Sequence, residues 1–187
     1  TDIVVNASHL AAQLAAALGD GRSFGARIAW SYEETPLEVA GGIATALPLL
    51  PAGPAIVVSG DVWSAFDVAT LLPRAYAMAH DMTAPRAHLV MVPNPPYHPE
   101  GDFVLRAGKL FADGGAALTF GNIAIYDTAL FADLPRGVKS KMLPLFRTWI
   151  AQGIASAERY DGPWSNVGTP ADLAALDAQL ARASFLA

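Results

Sequence analysis

The chain has 187 residues, 53% of them apolar and only 16% charged, with a formal net charge of −5 and no cysteine. That length suffices for one domain with a sizeable core, and a chain without cysteine excludes disulfides, thiolate zinc and a cysteine nucleophile. No window approaches the roughly 18 consecutive apolar residues of a membrane span, the first residues lack the basic flank of a signal peptide, and the one basic cluster, Arg136–Lys141, is no nucleic-acid footprint. The composition therefore predicts a protein of a reducing compartment, the cytoplasm, with neither nucleic acid nor membrane as partner.

Strand-like and helix-like periods alternate, which is the pattern of a layered α/β sheet. Asp2–Asn6 reads as a buried strand, and Ser8 caps a helix through Leu18 that Gly19 ends. Ala26–Tyr32 is a second strand, followed by a helix over Gly42–Leu50 that the prolines at 51 and 54 break. Ala55–Ser59 (AIVVS) is apolar on both faces and is expected in the middle of a parallel sheet. Two short helical pieces split at Pro73 lead to a strand at His88–Val92. From Pro93 to Gly115, prolines and glycines surround a hairpin pattern over Asp102–Phe111, a β excursion over the sheet edge. Ala117–Tyr126 rejoins the sheet, helices follow near Ala129–Leu134 and Leu143–Gln152, and Ala155–Tyr160 is again strand-like. The last helix takes Thr169 as its cap and Pro170 in its first turn. The expected fold class is a three-layer, Rossmann-like α/β domain, its sheet mostly parallel with helices on both faces, in a single domain over residues 1–187.

Three constellations bear on chemistry. Asp61 follows Gly60 just past the Ala55–Ser59 strand, where open α/β sheets place their ligands, although a short acid there also caps turns. Gly41 and Gly42 at the expected helix start either expose backbone N–H groups to a ring or phosphate, or make a tight loop-to-helix joint. Asn166 offers either a hard amide oxygen of the kind Mg²⁺ accepts or a partner for local backbone groups. The four histidines show no metal-ligand spacing, Ser59 and Ser165 have no evident His partner, and Asn94–His98 forms a rigid loop of a type that often carries contacts.

Taken in order, these segments resemble the sugar-1-phosphate nucleotidyltransferase family. Leu37–Ile43 (LEVAGGI) is similar to its L-E-T-[AG]-G-G-I and Ser59–Trp63 (SGDVW) to its N-G-D-[IV]-W. Leu89–Pro95 (LVMVPNP) with Gly101–Phe103 (GDF) resembles the branch acting on N-acetylmuramate 1-phosphate. Thr119–Ile123 (TFGNI) resembles T-F-S-G-I, Lys141–Leu145 (KMLPL) resembles K-L-A-P-L, and Trp164–Thr169 (WSNVGT) resembles W-x-D-V-G-T.

The resemblance implies an enzyme that transfers a nucleotidyl group from an NTP, with UTP favoured, to a sugar 1-phosphate, with N-acetylmuramate 1-phosphate favoured, in bacterial cell-wall recycling. It implies Mg²⁺ as cofactor, Asp61 and Asn166 as its ligands with Asp61 catalytic, Glu38, Gly41 and Gly42 around the nucleobase, and Asn94, Gly121 and Asn122 toward the sugar. A homodimer is compatible with it. A mannose-1-phosphate guanylyltransferase and a non-catalytic nucleotide- or sugar-binding relative stand as alternatives. Val39 replaces the family Thr, and Asn166 replaces a metal-binding Asp. The family's opening strand and Gly-rich loop, a βα unit on the order of 30–40 residues, have no counterpart, so the chain is expected to start at the second strand.

Overall fold

The structure is a computed structural model that describes residues 1–184. In chain order it runs β1 (Asp2–Ala7), α1 (Ala11–Leu18), β2 (Arg27–Tyr32), α2 (Glu38–Ala46), β3 (Pro54–Val58), β4 (Val62–Ser64), α3 (Leu72–His80) and β5 (Ala87–Val92). The hairpin β6 (Phe103–Arg106) and β7 (Lys109–Phe111) follows, then β8 (Ala117–Asp127), α4 (Met142–Ala151), β9 (Ala155–Arg159), β10 (Trp164–Asn166) and α5 (Pro170–Ser184). Two compact units divide the chain: Thr1–Ala55 with Tyr126–Trp149, and Ile56–Ile125 with the chain from Ile150 onward.

In the first unit β1 and β2 pair in parallel, Asp2 opposite Arg27 through Ala7 opposite Tyr32. Gly19 ends α1 with φ 57°, as its lack of a Cβ permits, but Ser8 does not cap the helix, because Leu10 takes the N-cap position with φ 55°. Helix α2 starts at Glu38, four residues before the expected Gly42. Its start is fixed from outside the segment, since the Glu33 carboxylate accepts the Leu37 N–H at 3.0 Å and so satisfies a donor at the helix entrance. Phe146 and Trp149, one turn apart on α4, pack with Phe131 and Tyr126 into a buried aromatic core. Centroids there lie 5.6 Å apart for Tyr126–Phe131 and 5.7 Å for Phe131–Trp149, the spacing at which edge-to-face rings attract. Burial drives the Tyr126 phenol well above its ordinary pKa.

The second unit is built on a six-stranded sheet in the order β3-β8-β5-β9-β7-β6. β5 and β9 are parallel, whereas β6 pairs antiparallel with both β7 and β8, and β7 antiparallel with β9. The sheet is therefore mixed, not purely parallel. The reason is that the 103–111 hairpin is built into the sheet instead of passing over its edge. Ala55–Ser59 also lies elsewhere than expected: β3 stands at one end of the sheet with Val58 46% exposed, and the strand buried along its whole length is β5. Leu71, Met78, Val90, Ile123 and Ile125 form the core over it.

Polar groups are buried in this unit as well. His88 is fully buried, with Nδ1 2.8 Å from the Ser156 hydroxyl. Burial first, and the Arg74 charge second, push its pKa down to about 3. Glu158 Oε2 lies 3.6 Å from Nε2, but against a neutral imidazole this is not an ion pair.

Candidate functional site

In the second unit a short antiparallel ribbon sets the site. β4 and β10 pair with Ser64 opposite Trp164, Trp63 opposite Ser165 and Val62 opposite Asn166. Residues 61 and 166, 105 positions apart in sequence, are thereby brought to one end of the ribbon, where the Val167 N–H donates to the Asp61 carbonyl at 2.7 Å. The turn carrying Asp61 is tied to β8 because the Ser59 N–H donates to the Asn122 carbonyl at 3.1 Å. On the other side the Trp164 indole N–H donates to the Gly121 carbonyl at 2.8 Å. A methyl on Gly121 would sit 3.0 Å from Val92 Cγ1 and 3.1 Å from the Val90 carbonyl oxygen, so the residue is small because β5 runs against it. Asn122 has φ 56°, a left-handed conformation that Asn tolerates better than most residues.

A pocket of about 360 Å³ opens beside this ribbon. Its wall is apolar and stiff: Val92, Pro93, Pro95, Pro96 and Tyr97 on one side, Gly162 and Trp164 on the other, with Ser165 and Asn166 supplying polarity. Asn166 Oδ1 is buried without a hydrogen-bond partner, a costly state unless something fills it. Asp61 is exposed at its turn. The Tyr97 phenol is raised above its ordinary pKa by partial burial first, then by the negative charges of Asp172 and Asp61, so the pocket mouth is electronegative. Asp172 belongs to the start of α5, where its N–H meets the Thr169 hydroxyl at 3.2 Å in the expected cap. Among the described residues no three His, Asp or Glu side chains converge as a metal cage.

Asn94 starts the proline loop. Its Nδ2 donates to the Pro99 and Ala117 carbonyls at 2.9 and 3.0 Å, and its Oδ1 accepts the Thr119 hydroxyl at 3.0 Å. Asp102 ends the loop, accepting the Phe120 N–H at 2.8 Å and facing His98 Nε2 at 3.2 Å.

The remaining predicted residues lie in the first unit, on α2. Gly41 and Gly42 are inside this helix and buried, not at its start. The Gly41 N–H donates to the Ser140 carbonyl at 3.2 Å and the Ser140 N–H to the Leu37 carbonyl at 2.9 Å, which presses segment 137–140 onto the helix. A methyl on Gly41 would collide with the Val138 carbonyl oxygen, and one on Gly42 would stand 2.8 Å from Glu33 Oε1. Asn6 Nδ2 fastens the same turn by donating to the Gly42 carbonyl at 2.9 Å. Glu38, with φ 60°, keeps its side chain at the surface, where Oε1 lies 3.5 Å from Lys139 Nζ.

Of the pocket lining only Asn166 was assigned a role from sequence, although Asn94–His98 was read as a rigid loop of a contact-bearing type. The wall's signal was present in the three prolines of the 93–97 run and in Trp164, but neither residue type announces a pocket before the fold brings the two segments together.

No family model matches the chain. It is 39% identical over 173 residues to the N-acetylmuramate α-1-phosphate uridylyltransferase of Neisseria meningitidis serogroup B, covering 90% of this chain and 74% of that protein. The chain belongs to the sugar-1-phosphate nucleotidyltransferase family. The protein of the same name from Caulobacter vibrioides is 32% identical over 191 residues, 96% of this nucleotidyltransferase and 78% of its relative. Among solved structures, a Bacillus anthracis protein described as a glucose-1-phosphate thymidylyltransferase, in complex with a sucrose, matches with a TM-score of 0.76 at 16% identity. That match covers 96% of this chain and 76% of the other, and speaks for the shared fold. No helix among the described residues is long and apolar enough to cross a membrane.

Proposed function

We propose that this nucleotidyltransferase transfers a uridylyl group from UTP to N-acetylmuramate 1-phosphate and releases pyrophosphate, a step of cell-wall recycling. The observation that supports the reading at particular residues is the β4–β10 pairing, which brings Asp61 to the same end of the ribbon as Asn166, a pocket-lining residue whose amide oxygen is unpaired.

That donor set fits a divalent cation. Mg²⁺ takes about six oxygens, usually only one or two of them from protein, the rest from water and substrate phosphate. Asp61 would supply the carboxylate and Asn166 the amide oxygen, and a bound ion supplies neutralisation of phosphate charge. In the reaction an oxygen of the sugar phosphate forms a bond to the α-phosphorus of the nucleotide as the bond to pyrophosphate breaks. Two oxyanions must therefore be held in line against mutual repulsion, which calls for positioning and charge compensation more than for a nucleophilic side chain.

The proline and tryptophan walls suit the sugar phosphate, because they are rigid and shed water without ordering cost. Gly121 and Asn122 act on that side by setting Trp164 and the Asp61 turn. Glu38, Gly41 and Gly42 belong to the nucleotide half of the reading, Glu38 by its surface carboxylate and the glycines by keeping α2 and segment 137–140 in contact.

The test is pyrophosphate release from the complete protein, assayed with the four common NTPs against N-acetylmuramate 1-phosphate, mannose 1-phosphate and glucose 1-phosphate. UTP with the muramate substrate is expected to give the highest kcat/KM. Preference for GTP with mannose 1-phosphate would replace this reading by guanylyl transfer, and no release with any pair would end it.

A further inference from the structure

Asn94 stands at the pocket's edge, yet its side chain is closed off from it. A carboxamide has two N–H donors and an acceptor oxygen. Both donors go to backbone carbonyls, Pro99 at 2.9 Å and Ala117 at 3.0 Å, and the oxygen accepts from Thr119. Gly101, at φ +66°, crosses so closely that a methyl there would lie 2.7 Å from Asn94 Oδ1 and 3.0 Å from the Ala117 carbonyl carbon. The loop is thus folded over the side chain and tied through it to β8. Between the two tied ends run Pro95, Pro96 and Tyr97, which form one wall of the pocket. The loop also holds a turn of its own, with the His98 N–H on the Pro95 carbonyl at 2.9 Å.

We propose that Asn94 is a positioning residue: without touching substrate, it sets the Pro95–Tyr97 wall against β8 and so governs the affinity of the pocket for the sugar phosphate. This rests on the reading that the pocket takes the sugar phosphate. Because the prolines cannot readjust φ, the wall moves as a piece when its base is released, and binding at that wall is what changes.

Thr119 provides the decisive test, since it is buried, lies outside the pocket lining and hydrogen-bonds to Asn94. Thr119→Val keeps the shape and removes the hydrogen bond. One ordinary hydrogen bond corresponds to roughly a fivefold change in an equilibrium. KM for the sugar phosphate is expected to rise about fivefold in Thr119→Val and further in Asn94→Asp, which loses both donors. In both variants kcat and KM for the nucleotide should stay within about twofold. The double variant should be no worse than Asn94→Asp alone, as expected for residues in one network. An unchanged KM in Thr119→Val beside a raised KM in Asn94→Asp would mean that Asn94 contacts substrate, and a fall confined to kcat would place it in the chemistry. Either result overturns the proposal.

Amide hydrogen exchange at Tyr97, His98, Glu100 and Gly101 in the unliganded protein gives a second readout that needs no turnover. It should accelerate in Thr119→Val while β5 stays protected, and unaltered exchange would overturn the proposal as well. If the unmodified protein turns over no sugar phosphate but the exchange changes as expected, the functional reading fails and the positioning role stands.

Discussion

In α2, Gly41 and Gly42 are covered: the Val138 carbonyl and the Glu33 carboxylate occupy the space where a side chain would be, and the Gly41 N–H already serves Ser140. Along β4 and β10 the motif residues are left open instead, with Asp61 exposed and Asn166 Oδ1 buried but unpaired beside a pocket. Both stretches look equally functional as sequence. Polar satisfaction separates them: folding uses up the hydrogen-bonding capacity of the first, while the second keeps capacity that only an outside atom can use.

This contrast gives graded expectations. The largest effect belongs to Asp61→Asn in the complete enzyme, which should lower turnover on the order of a thousandfold, the scale reached when a group stabilising transition-state charge is lost. Its thermal midpoint should hardly move, because the side chain is exposed. A preserved rate would erase the distinction between the two regions. Gly41→Ala should show the opposite signature, a loss of about 1–3 kcal/mol in denaturant melts from forced displacement of backbone. Gly42→Ala should be milder, since what its methyl meets is the end of the Glu33 side chain. Equal stability in Gly41→Ala and the parent would show that segment 137–140 yields freely. Asn166→Asp should tighten Mn²⁺ binding about tenfold by calorimetry, a second carboxylate adding charge to the donor set. Weaker binding in that variant would remove residue 166 from the metal reading.

A fourth expectation uses His88 as a control, a buried polar group outside the lining of the pocket beside the ribbon. Its folded pKa of about 3 lies below the ordinary 6.5. Above pH 6.5 neither the folded nor the unfolded chain protonates it; below, the unfolded chain takes up a proton that the folded chain refuses. Stability from this group is therefore complete above 6.5 and falls with pH toward 3, by at most about 1.4 kcal/mol per pH unit. Urea midpoints at pH 7 and 5 check this, and the difference between them should shrink in His88→Gln.

How much of this was legible depends on where each cause lies. The cap at Thr169 and the stop at Gly19 were readable because donor, acceptor and backbone freedom sit within a few residues. The start of α2 was not, because Gly41-Gly42 imitate a helix entrance while the real one depends on Glu33 and on a segment about a hundred residues away. Ala55–Ser59 and Ala87–Val92 are both short apolar runs. Which becomes the central strand is decided by their sheet neighbours, and apolar periodicity does not encode that. Asp61 and Asn166 were singled out through motif resemblance, and the β4–β10 register explains why the two positions lie at one end of the ribbon. Asn94 was recognised as special while its partners, Ala117 and Thr119, lay beyond local reading.

The electronegative mouth marked by Tyr97, Asp61 and Asp172 has a kinetic side. Sugar phosphates and nucleotides are anions approaching a chain of net charge −5, so long-range forces at this mouth slow capture instead of steering it. Added monovalent salt shortens the reach of that repulsion from about 10 Å at 0.1 M toward 3 Å at 1 M. Stopped-flow association of the sugar phosphate should therefore quicken as ionic strength rises, the reverse of an electrostatically guided enzyme, and Asp172→Asn should flatten the dependence without changing its sign.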